Sequence, residues 1–508
     1  MKFHALSALL LVASAPAFAA GDWFKIKVID AQTGRGVPLV TLETENHIVH
    51  VTDSAGLIAF HEPGLMDRPV WFHVRSHGYE YPKDGFGYTG LALTPRTGES
   101  AEVKVRRRNI AERLYRITGA GIYRDSVLLG EPVPLREPLL NAQVLGQDST
   151  LAAVFGGKIF WMWGDTQRAS YPLGNFAMSG ATSALPARGG TGIDLEYFTG
   201  RDGFARPLWE SAGKGVIWSD GLLAVRDGEG RERLVAHAAH LRDMSHLLAH
   251  WLSVFDGKSG RFEKVREYPL EETWRCPTGH PVRVTDESGD WFYFRASRDS
   301  HAPFPAVRVR ATFDDVRTPE KYEAFTCLAP GSRFDKAATQ LARDADGRLL
   351  YTWRTDTAAL TSEQERELIA AGKMKAQEAR FQPRDAEGGK SPHLHAGSVN
   401  WNAFRKKWVL IAVQQGGTSQ LGEVWYSEAD SVLGPWLSAR KILTHERYSF
   451  YNPVHHAFLD EEGGRVIHFE GTYTNTFSGN REFTPRYDYN QMMYRLDLSD
   501  ARLRAEMK

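Results

Sequence analysis

Five short polar positions in the chain fall at equivalent places ahead of apolar runs, namely Asp148, Asp220, His280, His395 and His455. A second set closes the runs that follow them: Asp165, His237, Arg295, Arg354, Asp356, Gln414 and Glu470. Carboxylates, imidazoles and guanidiniums gathered in one concavity have the composition of a reactive site. Two carboxyl groups, one held protonated and one ionised, can cleave an acetal by acid and base. An imidazole or a phenol beside a guanidinium can instead take a proton next to a carboxylate. Which chemistry applies depends on whether the backbone brings these residues together.

The elements that would do so repeat. Stretches 148–166, 220–238, 280–297, 336–356, 396–414 and 452–472 each read as an apolar strand, a tight turn and an aromatic-rich second strand. Their turns (Gly157, Gly230, Gly289, Gly347, Phe404, Gly464) recur about sixty residues apart, the period of a β-propeller with one hairpin per blade. In such a blade the start of the first strand and the end of the second lie at the same end of the channel. The two polar sets above therefore meet there. Six blades are counted, with five as the alternative, because the fourth repeat lacks an outer strand pair. In its place stands Ser362–Arg380, a charged segment of helical propensity. It is either a helical insertion in a blade or part of one blade shared by the fourth and fifth hairpins. The expected fold is all-β, with a small sandwich ahead of the propeller.

Residues 1–20 combine a basic start, an apolar stretch and an A-x-A ending, as secretory signal peptides do. The mature protein is expected to be secreted or periplasmic, with no membrane span after cleavage. With 62 basic and 62 acidic residues, nothing in the charge points to nucleic acid or an anionic membrane. Oligomeric state is not legible. Cys276 and Cys327 flank the third repeat; a disulfide across that blade and two buried thiols are both open. Lacking C-x-x-C spacing, they do not form a zinc motif.

Residues 21–108 alternate apolar and polar positions between tight turns. Their order V-x-D-x-x-T-G-x-G-V-P-x-V, then V-T-D-x-x-G, resembles the carboxypeptidase-regulatory-like, or prealbumin-like, β-sandwich. That likeness implies no catalysis. The basic run Lys104–Arg108 reads as a solvated strand end at the junction with 109–508.

Gln147-Asp148-Ser149, Trp163-Gly164-Asp165-Thr166, and Glu423 to Asp430 followed by Gly434-Pro435-Trp436 resemble the propeller glycoside hydrolases of the family 43 type in the broad sense. The resemblance implies an inner-strand Asp as general base, a second Asp that tunes its pKa, and a Glu as general acid. Asp148 occupies the first position. The usual place of the Glu holds His280, with Glu271 and Glu272 upstream. The reading adopted is an exported hydrolase of a polysaccharide or oligosaccharide, with Asp148 as base or nucleophile, Glu470 as acid and Asp165 as modulator. Asp220, His280, Arg354, His395, His455, Trp163 and Tyr473 would bind the sugar, the aromatics by packing on its C–H faces.

No cofactor is required, although histidines 280, 395 and 455 with Asp148 or Asp220 would suffice to ring one divalent metal on the propeller axis. The second reading is a lyase of uronate-containing glycans, using His280, Tyr487 or Tyr489 and Arg354. The third is a non-catalytic propeller that binds carbohydrate or protein. The polar stretch Tyr473–Arg486 is a candidate lid.

Overall fold

The computed structural model describes residues 22–185, 190–210, 213–244 and 246–504. The expected signal peptide lies outside them. Apolar residues alternating along Phe24–Asp30 place Phe24, Ile26 and Val28 on one buried face. This strand pairs with Leu57–Phe60 and, in parallel, with Ser100–Arg107; Tyr79–Glu80 completes the sheet. A second sheet runs in the order Val49–Val51, Thr41–Thr44, Val70–Arg75, Gly90–Leu93. Leu42, Phe72 and Val74 from it meet Ile26, Val28 and Phe60 in one core. Residues 22–107 are thus a two-sheet sandwich. The basic run is the end of its last strand, where Arg107 pairs with Asp30.

The rest is built on a propeller of five blades, antiparallel except for the short edge strand Arg384–Asp385 of the fourth, which corrects the count of six. The blades are built on inner strands Leu151–Phe155, Val216–Arg226, Val282–Asp286, Leu394–Asn402 and Ser449–His455. Each is followed outward by its hairpin partner: Lys158–Trp163, Glu232–Asp243, Gly289–Arg295, Lys407–Gln414 and Val466–Thr474. The ring is closed by the chain entering from the sandwich, since Glu112–Arg116 is the outermost strand of the fifth blade beside Asn490–Asp497. That closure pairs residues nearly four hundred positions apart, a non-local contact that no sequence period reveals.

The hairpin read at 336–356 is not a blade. Asp344 to Arg348 do form the tight turn, with Asp344 N–H donating to the Arg348 carbonyl. Yet the flanking residues make only two isolated bridges and one short strand, Thr352–Arg354, added to the outer edge of the third blade. Turn chemistry is local and forms with or without a full strand pair behind it. The expected helix is present as Ser362–Ala370, opened by a capping box in which Thr361 Oγ1 accepts from Gln364 N–H and the Gln364 side chain bonds the Thr361 N–H. This whole segment is an insertion between the third and fourth blades. Cys276 and Cys327 are free, buried in separate apolar clusters, so no disulfide ties the third blade. No helix among the described residues is long and apolar enough to cross a membrane.

Candidate active site

A cavity of about 620 Å³ opens at the channel end where first inner strands begin. Asp148, Asp165, Asp220, His280, Arg295 and His395 all line it, together with Tyr451 and His301. Hairpin pairing explains the convergence. Asp220 stands opposite His237 across the second blade, and the Gly164 N–H donates to the Asp148 carbonyl at 2.8 Å in the first.

Asp148 is held from several sides. Gln147 before it is fully buried and bonds Thr166 Oγ1 and Ser179 Oγ, at 3.2 and 2.7 Å. Ser149 after it takes a left-handed backbone (φ 54°), and its N–H donates to Thr472 Oγ1 of the fifth blade. The carboxyl itself accepts from the Tyr451 hydroxyl and from Tyr489. Burial raises the Asp148 pKa to about 6, the Asp165 charge adds to this, and the two phenol hydroxyls oppose it. Asp165 is raised as well, chiefly by burial, against the indole N–H of Trp218 at 3.2 Å from its Oδ1. On the next blade the Asp220 carboxylate is ion-paired with Arg295 and accepts from the Gly221 N–H.

The cavity histidines are kept neutral. Burial depresses His280 to about 4, with Asp220 opposing. Burial also takes His395 to about 4, and His301 lies stacked on it with ring centroids 4.6 Å apart. Among the described residues His395 Nδ1 has no hydrogen-bond partner. Neutral imidazoles and paired guanidiniums along one wall suit hydroxyl-rich ligands, offering donors and acceptors together. Phe477, against Tyr451, brings the expected lid stretch to the cavity rim.

Five expected site residues lie elsewhere. Glu470 is in mid-strand, since Val466–Thr474 runs four residues beyond it, and is wholly buried with His456 Nε2 at 2.6 Å. His455 ends its inner strand instead of starting it, and its Nε2 bonds Asp460. It therefore cannot join histidines 280 and 395 around an axial metal. Trp163 is buried in a parallel stack on Trp161. Tyr473 stacks on Tyr448 at 4.2 Å, facing the groove between sandwich and propeller. Arg354 sits in the added edge strand of the third blade. Tyr487, considered for proton abstraction, donates instead to the Thr52 carbonyl of the sandwich. Among the cavity residues that the strand ends did not disclose are His301, Arg298 and Asn452. The first two lie in the loop after a second strand, and Asn452 within a bulged inner strand, so a search of strand ends passes them by.

No family model matches the chain and no curated protein matches it. Among solved structures it is similar to an exo-β-1,3-galactanase from Phanerochaete chrysosporium at 10% identity and TM-score 0.37, covering 70% of this chain and 61% of that one. It is similar to a GH43_1 enzyme from Xanthomonas citri complexed with xylotriose at 12% identity and TM-score 0.34, covering 70% and 88%. An α-L-arabinofuranosidase from Fusarium graminearum gives 12% identity and TM-score 0.35, covering 77% and 98%. Likeness at this level transfers no residue roles to this chain.

Proposed function

We propose that the protein is an exported glycoside hydrolase acting on a carbohydrate held in the channel-end cavity. The observation that carries the reading is Asp148: a buried carboxyl with a pKa near 6, beside Asp165 and in one cavity with the ion-paired Asp220. Carboxyl groups whose surroundings differ in this way divide into acid and base. Asp148, expected as base or nucleophile, instead supplies the proton to the departing glycosidic oxygen, because burial favours its protonated form. Asp220, oriented by Arg295, takes the proton of the attacking water, and Asp165 keeps Asp148 protonated. Glu470 has no part in this scheme, because its buried carboxylate is engaged by His456. The sandwich contributes no chemistry, and its likeness to carboxypeptidase-regulatory-like modules rests on its turn pattern.

A second reading draws on a different observation. His280 is neutral and shares the cavity with Arg295 and Arg298, and Tyr489 bonds Asp148. Those groups suit proton abstraction next to a uronate carboxylate, as in a lyase.

One assay decides between them. The mature protein is incubated with neutral and uronate-containing glycans, and reducing ends and the ultraviolet absorbance of unsaturated uronates are followed together. Reducing ends without absorbance, lost in Asp148→Asn and Asp220→Asn, support the hydrolase. Absorbance rising with reducing ends, and lost in His280→Ala, replaces it with the lyase. Binding to these glycans without turnover removes both.

A further inference from the structure

A second cluster of reactive side chains stands beside the cavity and takes no part in the proposed hydrolysis. His237 lies on the second strand of the second blade, His250 on the third strand, and Cys276 on the connection into the third blade. All three are completely buried. His237 pairs with Leu252 and Ala239 with His250, so the two histidines are diagonal neighbours on one face of the sheet. One nitrogen of each ring and the Cys276 sulfur all lie within 4.8 Å of one another.

We propose that His237, His250 and Cys276 bind one zinc ion.

The nitrogens are already oriented. His250 Nε2 donates to the Pro269 carbonyl at 2.7 Å, which leaves its Nδ1 lone pair to accept from the His237 Nε2–H, 3.0 Å away, a hydrogen bond that the ion would replace. A ring N–H fixed on a backbone carbonyl is the usual support of a metal-binding histidine. Among the described residues the Cys276 thiol makes one long hydrogen-bond contact, 3.8 Å, to the Thr273 carbonyl. The nearest guanidiniums, Arg295 and Arg298, are each paired with a carboxylate, Asp220 and Asp299.

Two imidazoles and one thiolate match the preferences of zinc, a borderline-soft ion, better than those of calcium or magnesium. Binding forms one Zn–S and two Zn–N bonds. The His237 ring proton moves from Nε2 to Nδ1, the S–H bond of Cys276 breaks and its proton passes to solvent, and no electron is transferred. Three protein ligands leave a fourth position to water. The site would also fix the segment that delivers His280, because Cys276 precedes Thr278 and Gly279. Thr278 Oγ1 bonds the Arg295 carbonyl, and the Gly279 carbonyl accepts from Gly221 N–H.

The test is the metal content of the full chain produced in zinc-supplemented medium, and the absorption spectrum of the same chain produced in cobalt-supplemented medium. The expected result is one ion per chain, with a thiolate-to-cobalt charge-transfer band in the near ultraviolet. Both should persist in Cys327→Ser, and the band should vanish in Cys276→Ser. Folded wild-type protein with neither stoichiometric metal nor the band overturns the proposal, whatever happens to the variants. A band that survives Cys276→Ser overturns it equally.

Discussion

Gly164 lies so close to Asp148 that a Cβ at that position would stand 2.0 Å from the Asp148 Oδ1. The second strand of the first blade thus reaches the site with no side chain at the one place where the carboxyl needs room. Gly164→Ala should push the Asp148 carboxyl off Tyr451 and lower kcat about a hundredfold, the scale of a misplaced catalytic group. Steady-state kinetics, with circular dichroism to confirm that the sheets persist, checks this.

Asp148→Asn should abolish proton donation, a loss of about 10²- to 10⁴-fold in turnover. Its effect on stability carries a sign. The Asp148 value in the fold lies above the ordinary 3.8, so the fold favours the protonated form. This group costs the native state nothing well below pH 3.8; the cost grows as pH rises to about 6 and is constant above. The variant should therefore gain stability over wild type between pH 4 and pH 7. Melting temperatures at the two pH values, compared pairwise, measure it.

Tyr451→Phe removes a hydroxyl that favours the ionised Asp148. The Asp148 pKa should move further up, and the alkaline limb of the pH–rate profile with it. A limb that stays in place would mean that another group sets it.

Asp220→Asn should fail in turnover and in stability together, since Arg295, with its side chain only 14% exposed, loses its carboxylate partner. A cost of about 3 kcal/mol is expected for breaking such a pair. The double variant Asp220→Asn with Arg295→Met should recover much of the stability and none of the activity. Denaturant unfolding and the reducing-end assay separate the two.

Glu470→Gln should act through folding. Its carboxylate is fully buried against His456 between the fifth and first blades, where His456 packs on Trp161. Replacing the carboxyl that His456 engages should cost about 1–3 kcal/mol, and the protein that remains folded should keep its kcat. A fall in kcat at full stability would return Glu470 to the reaction.

The inner ends of the hairpins were legible because strand alternation and turn chemistry are local. Once Gly157 and Gly230 are read as turns, Asp148 and Asp220 must stand at one end of the channel, as they do. Glu470 and His455 were misplaced for one reason. The fifth blade runs Ser449–His455 against Val466–Thr474, several residues further toward the cavity than the apolar runs suggest, with a bulge between Tyr451 and Val454. A bulge changes which residues face which side.

Local pattern carries the all-β character, the sandwich ahead of the propeller, a helix within Ser362–Arg380 and the end of the channel that is polar. These follow from periods of two and 3.6 residues and from turns, which are properties of short stretches. Tertiary structure alone decided that there are five blades, that Glu112–Arg116 closes the ring, that Glu470 is locked against His456, and that His237, His250 and Cys276 meet. Each of these depends on strand register and on contacts between distant parts of the chain. There the burial of whole blades against one another outweighs the preference of any single segment.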